Sequence, residues 1–119
     1  MELKERQETT IAQVTSTEVR EDGITVSALS DMGRYGKVRF TINIDSDNDQ
    51  KSGKAHGGGR GTLEDGTYVV GTFSGRWLRE GNEITVYGID QVSNGDVSLI
   101  TFSYDASGNE ISVTHYALN

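Results

Sequence analysis

The chain contains no cysteine and no proline, and its last forty residues contain no lysine or arginine. Without cysteine there can be no disulfide scaffold, cysteine-ligated zinc site, iron–sulfur cluster or thiol nucleophile. Without proline, tight turns must be made by glycine and by Asn or Asp, which tolerate a positive φ. Fifteen glycines in 119 residues meet that need. The sequence therefore predicts one folded domain with many glycine-containing turns.

Long hydrophobic runs are also missing. No segment approaches the roughly 18 to 20 apolar residues of a membrane span, and the charged start at 2–8 lacks the apolar centre of a signal peptide. We therefore expect no membrane partner and a cytoplasmic location. The only two histidines are His56 and His115, which argues against a histidine-rich metal site, and we expect neither a metal nor a cofactor.

Positive charge is scarce and unevenly placed. Eleven Lys and Arg against 18 Asp and Glu give a net charge of −7, and every basic residue lies at or before Arg79. Such a field repels the phosphate backbone of nucleic acid, so we expect no nucleic-acid partner. Any anion-binding site must be built by the first two-thirds of the chain.

What the sequence does contain is Thr, Val, Ile and Tyr between turn signals, a composition typical of strands. Most connections are short and contain glycine, as tight hairpins require. The pattern predicts an all-β fold with strands at 9–19, 23–29, 34–44, 53–62, 67–79, 83–90, 96–104 and 110–118.

Eight consecutive antiparallel strands leave two exposed edges unless the sheet closes. We therefore predict a small up-and-down barrel of about eight strands, with a two-sheet β-sandwich as the alternative. Residues 1–8 form a lead-in that could be a frayed helical turn, and residues 9–119 form the single barrel domain.

The strand faces indicate self-association. Segment 34–44 alternates apolar and polar residues, as expected for a strand with one wet face. Segments 83–90 and 96–104 are apolar on both faces. A barrel has only one interior, so the second apolar face favours a homo-oligomer, most simply a dimer.

The most distinctive stretch is the glycine-rich strand at 54–62. Its positions 55, 57, 59 and 61 are Ala, Gly, Gly and Gly, which leaves one face almost bare backbone. Glycine inside a strand weakens it, so such a run marks either a bend in the barrel wall or a surface that a ligand approaches closely. Both readings remain open from the sequence.

An acidic loop precedes that strand. Asp45, Asp47 and Asp49 have the alternating spacing that begins a calcium loop. The sixth position of the loop is Gln50 instead of glycine, and the twelfth is His56 instead of glutamate. We interpret the loop as a solvated hairpin tip and expect calcium to have no effect on stability.

Aromatic residues supply the first candidate ligand contacts. Phe73 and Trp77 share one face of the predicted strand at 67–79, and Tyr68 and Arg76 share the other. A barrel interior favours the bulky apolar face, so we predict that Phe73 and Trp77 line a ligand pocket. Emission from Trp77, the only tryptophan, should then respond to a bound ligand.

Polar partners for these rings would come from the neighbouring strand. His56 and Arg60 are the candidates, on the condition that the glycine face of their strand points outward. No pair of carboxylates stands out as a general acid and base, so we assign no catalytic residue.

Three resemblances bear on the fold. Gly75-Arg-Trp77 has the Gly-x-Trp form found in calycins such as lipocalins, although theirs lies on the first strand. Residues 59–73 are similar to one MORN repeat. The whole chain, with short strands, a glycine-rich centre and acidic turns, resembles the small barrels related to allene oxide cyclase. That resemblance implies a cavity for an apolar molecule, a cyclisation or isomerisation within it, and a homo-oligomer.

These observations leave three functional hypotheses. The first is a barrel that binds a small apolar or aromatic ligand. The second is a cofactor-independent isomerase or cyclase that acts by enclosing and positioning its substrate. The third is an assembly module whose barrel is filled by its own side chains.

Overall fold

The computed structural model describes residues 2–46 and 51–119, and within these ranges the chain forms nine strands and a single 3-10 turn, Gly33–Tyr35. The strands are β1 (Lys4–Glu5), β2 (Thr10–Arg20), β3 (Gly23–Asp31), β4 (Lys37–Asp45), β5 (Ser52–Thr62), β6 (Tyr68–Glu80), β7 (Glu83–Val92), β8 (Val97–Asp105) and β9 (Glu110–Ala117).

Strands β2 to β9 form a closed antiparallel barrel. Each strand pairs with the next along the chain, and β9 also pairs with β2, which closes the sheet. Closure removes the open edges that would otherwise expose unpaired backbone groups. The predicted eight-stranded barrel is confirmed, and the alternative two-sheet sandwich is not adopted.

Two local features differ from the sequence-based picture. Lys4 and Glu5 pair with Ala117 and Tyr116 of β9, so part of the lead-in, for which a frayed helical turn was one option, forms a short strand. The predicted strand at 34–44 begins later, at Lys37, because the 3-10 turn precedes it.

The inner faces of the strands form one apolar core. Along β4 the buried residues alternate with exposed or half-buried ones, as the pleat of a strand requires. At the centre, the Phe102 ring lies 5.6 Å from the Phe40 ring and 5.0 Å from the Phe73 ring, both tilted. Such aromatic pairs contribute about 0.5–1.5 kcal/mol each beyond the burial of their area.

The glycine face of β5 points into this core. A Cβ added to Gly57 would lie 2.0 Å from the Thr41 carbonyl oxygen and 3.0 Å from the Phe73 ring. A Cβ added to Gly59 would lie 2.8 Å from Cβ of Phe40. The absent side chains therefore let two aromatic residues pack directly against the backbone of β5.

Trp77 lies at the end of the barrel where β4 finishes and the acidic loop begins. The Trp77 indole Nε1 donates a 2.7 Å hydrogen bond to the backbone oxygen of Asp45, and the side chain is buried. Asp47 and Asp49 of the acidic loop lie outside the described residues, so the expectation about calcium stays a prediction. Among the described residues, no helix is long and apolar enough to cross a membrane.

Candidate functional site

A cavity of about 50 Å³ lies inside the barrel, towards the end opposite Trp77. Apolar and aromatic side chains form most of its wall, including Tyr35, Phe73 and Phe102. A carboxylic acid, Asp90, and an imidazole, His115, also line it. An apolar cavity with a few convergent polar groups is the usual form of a small-molecule site.

Three neighbouring strands place the polar groups. Asp90 on β7 pairs with Ser98 on β8, and Ile100, two residues further along β8, pairs with His115 on β9. Asp90 and His115 therefore face each other diagonally across β8, on the inner side of the barrel. Their exposed fractions are 6% and 2%, so both side chains are removed from bulk water.

His115 has an incomplete set of hydrogen bonds. Its Nε2 lies 3.8 Å from Oδ2 of Asp90, which is too long for a hydrogen bond. Its Nδ1 is buried and has no hydrogen-bond partner among the described residues. The imidazole is held instead by packing, with its ring centroid 5.2 Å from that of Tyr35.

Burial controls the charges of this pair. It raises the pKa of Asp90 to about 6, with a further contribution from the negative charge of Asp96. Burial, assisted by the nearby cation of Arg6, lowers the pKa of His115 to about 4. At neutral pH the cavity therefore contains a carboxylate beside an uncharged imidazole, and their close approach is not an ion pair.

A hydrogen-bonded cluster supports the cavity from outside. The Tyr35 hydroxyl donates to Asp96 Oδ2 at 2.8 Å, and Arg6 Nε donates to Ser98 Oγ at 3.0 Å. Arg6 and Arg34 lie 3.4 and 3.6 Å from the Asp96 carboxylate. Burial acts to raise the pKa of Asp96, but the hydrogen bond from Tyr35 and these cations bring it below its ordinary value. The cluster fixes the position of Tyr35 against His115.

The structure does not bring the four predicted site residues together. Phe73 lines the cavity, but Trp77 lies four residues further along β6, about 13 Å away at 3.3 Å per residue. His56 and Arg60 are exposed on the outer surface, because the glycine face of β5 points inward. The two residues would share a cavity with Phe73 and Trp77 only if the glycine face pointed outward, and it does not.

Sequence reasoning missed Asp90 and His115 as site residues. A signal was present, because Asp90 is in phase with the apolar residues Ile84 and Val86 on β7. His115 is likewise in phase with Val113 on β9. A polar residue on the apolar face of a predicted strand is the pattern that could have identified both.

Comparison of the chain with protein-family models, with curated proteins and with solved structures found no match. The function must therefore be argued from the geometry of the site.

Proposed function

We propose that the barrel binds a small, mostly apolar ligand in the cavity beside His115. The observation that carries this proposal is the unpartnered Nδ1 of His115, a residue that lines the cavity. A buried polar atom without a partner costs about 1–3 kcal/mol, which a hydrogen bond from a ligand would recover. The negative charge of the Asp90 carboxylate, 3.8 Å from Nε2, attracts an N–H dipole and so favours the ring proton on Nε2, which leaves Nδ1 as an acceptor. The ligand is therefore expected to carry a hydroxyl or N–H donor.

The size of the cavity limits this ligand. Its volume of about 50 Å³ is a third of the ~150 Å³ engineered cavity that binds benzene. A ligand of a few heavy atoms fits directly, whereas an aromatic ring must displace part of the wall. Met32 lines the cavity and is the side chain best suited to move, because it is unbranched and flexible.

Phenol and toluene test the proposal as a matched pair, because they have nearly the same shape and differ in one hydroxyl donor. We expect millimolar binding of phenol, about tenfold tighter than toluene, as one hydrogen bond of about 1.4 kcal/mol would give. The substitution His115→Phe should abolish this preference. The control His56→Phe, which changes the exposed histidine, should retain it. Equal affinities for the two ligands in the wild-type protein would rule out the role given to His115.

The resemblance to barrels of the allene oxide cyclase type suggests a second function, a cofactor-independent isomerisation. The pKa of Asp90, about 6, favours it, because a general base works best when its pKa is near the working pH. The Asp90 carboxylate would remove a proton next to a carbonyl group and return it to another carbon.

Cyclopentanone in deuterated water tests this second function without a known substrate. Proton removal by Asp90, followed by exchange with solvent, should replace the α-hydrogens with deuterium. The rate should fall at least a hundredfold in Asp90→Asn. A rate in the wild-type protein no higher than that of Asp90→Asn would exclude proton transfer by this carboxylate.

We also propose that the protein forms a homodimer through the outer faces of β6 and β7. Leu78, Tyr87 and Ile89 are large apolar residues on this surface, exposed by 47%, 43% and 45%. A two-fold dimer would bury the same surface on both copies. This apolar stripe, defined by the three residues, lies on the opposite side of the barrel wall from the cavity.

A further inference from the structure

A second concave region lies on the outer surface of the barrel and extends across β2 to β6. Its volume is about 640 Å³, within the range of roughly 300–1,000 Å³ that is typical of small-molecule sites. Its polar lining includes Arg39, Thr41, Asn43, His56, Arg60 and Thr72. We refer to this region as the outer groove.

Two arginines face each other in the outer groove. Arg39 on β4 pairs directly with Arg60 on β5, an arrangement that places Cβ atoms about 4.5–5.5 Å apart and is unfavourable for like charges. Elsewhere, Arg6, Arg20 and Arg34 each pair with a carboxylate. In the described part of the chain, neither Arg39 nor Arg60 forms an ion pair. Two cations are thus held together without a balancing anion from the described residues.

In the part of the chain that the structure describes, no carboxylate lies beside the two arginines in the outer groove. Among the described residues that line the outer groove there is no Asp or Glu. The carboxylates on the outer faces of β3 and β4, Asp31 and Asp45, lie at strand ends. The central part of the groove is therefore a cationic surface on a protein whose net charge is −7.

The glycine-rich strand opens the floor of the outer groove. Gly58 lies between Thr41 on β4 and Thr72 on β6, paired with both. Because Gly58 has no side chain, a ligand can reach the backbone between two threonine hydroxyls. A Cβ at this position would lie 2.6 Å from the carbonyl oxygen of Gly71, so a larger residue does not fit without a shift.

We propose that the outer groove binds the phosphate group of a small organic phosphate, held between Arg39 and Arg60. A phosphate monoester has a charge of about −1.5 to −2 at neutral pH, which matches two guanidinium groups better than a single carboxylate does. The planar guanidinium also donates paired hydrogen bonds to phosphate oxygens. The net charge of −7 opposes contact with nucleic acid or an anionic membrane, so the ligand is a soluble small molecule.

The outer groove is distinct from the cavity beside His115. Phe40, Gly58, Gly59 and Gly71 line both, so the two spaces share the wall formed by β4, β5 and β6, with the cavity inside it and the groove outside. Their chemistry differs, because the cavity is apolar with one carboxylate and the groove is polar and cationic. Failure of phenol to bind the cavity would therefore leave the phosphate proposal intact, and the reverse also holds.

Ribose 5-phosphate is a suitable probe, with ribose and acetate as controls at constant ionic strength. We expect saturable changes in the NMR signals of the Arg39 and Arg60 side chains with ribose 5-phosphate only. Arg39→Gln and Arg60→Gln should each weaken binding at least tenfold while keeping the backbone spectrum of the folded protein. Arg79→Gln is the matched control, because Arg79 donates to the backbone oxygen of Gly81 outside the groove. The affinity of Arg79→Gln for ribose 5-phosphate should equal that of the wild-type protein.

Three results would overturn the proposal. The first is equal binding of ribose 5-phosphate and acetate, which would indicate a non-specific charge effect. The second is an unchanged affinity in both glutamine variants. The third is binding to phosphatidylcholine vesicles that contain phosphatidic acid without binding to ribose 5-phosphate, which would identify a membrane-facing surface instead.

Discussion

Asp90 and His115 lie 3.8 Å apart inside the barrel, and burial shifts their pKa values in opposite directions. The acid is moved from 3.8 to about 6 and the base from 6.5 to about 4. Between about pH 4 and 6, folding therefore favours the uncharged form of each residue, protonated Asp90 and neutral His115. Both side chains are mostly uncharged over this range, so the pair places two hydrogen-bonding groups in an apolar cavity with little charge.

The first prediction concerns the pH dependence of stability. The folded chain retains the Asp90 proton to a higher pH than the unfolded chain, so stability from Asp90 falls as pH rises from about 4 to 6. The unfolded chain binds a proton at His115 more readily, so stability from His115 rises between about pH 4 and 6.5. In the wild-type protein the two effects largely cancel.

Single substitutions should separate these effects. In His115→Asn, the free energy of unfolding should fall as pH rises from 4 to 6, and in Asp90→Asn it should rise. Each change is at most about 3 kcal/mol, at about 1.4 kcal/mol for each pKa unit. Urea unfolding at a series of pH values measures both slopes. Slopes of the same sign in the two variants would contradict the assigned shifts.

The second prediction tests the glycine wall. Gly57→Ala should lower the free energy of unfolding by about 1–3 kcal/mol or more, because the added methyl group overlaps the Thr41 carbonyl and the Phe73 ring. Gly108→Ala is the control, since its nearest neighbours would be 3.6 and 3.7 Å away. Denaturant unfolding should show little change in the control. Equal stabilities of the two variants would mean that Phe73 does not pack against β5.

The third prediction concerns the apolar stripe of Leu78, Tyr87 and Ile89. Sedimentation at tens of micromolar protein should give twice the chain mass of 13.0 kDa. Ile89→Glu should give a monomer, because it places a charge in a buried interface. Val19→Glu should remain a dimer, since Val19 is 81% exposed on β2, away from the stripe. A monomeric wild-type protein would exclude this interface.

The fourth prediction revises the role of Trp77. Because Trp77 lies at the opposite end from the cavity, its emission should be blue-shifted and should not change when toluene binds. Trp77→Phe removes the hydrogen bond to the Asp45 carbonyl and should cost about 1–3 kcal/mol of stability. Calorimetry should show unchanged affinity for phenol. A tenfold loss of phenol affinity in Trp77→Phe would mean that Trp77 is part of the binding site.

The fold could be predicted because its signals are local. Glycine-containing turns such as Glu80 to Glu83 set each hairpin, and the alternation along β4 identifies its inner face. Alternation alone could not predict which face of β5 points into the barrel. Both of its faces contain glycine, and only the packing of Phe40 and Phe73 from neighbouring strands decides between them.

The candidate site was harder to predict, because it depends on the relative positions of three strands. Asp90 and His115 are 25 residues apart in sequence and meet only through the register of β7, β8 and β9. Phe73 faces the barrel interior, as the alternation along its strand indicated, and its role as a ligand contact stays a prediction. His56 and Arg60 were placed outside by the direction of the glycine face.

The central claim is that a ligand donor binds Nδ1 of His115 in the cavity. Side-chain ¹⁵N NMR of the two histidines during titration with phenol at neutral pH tests it most directly. We predict an uncharged His115 with its proton on Nε2, a saturable shift at His115 Nδ1, and no change at His56. A titration in which the His115 signals do not move, or move equally with toluene, would contradict it.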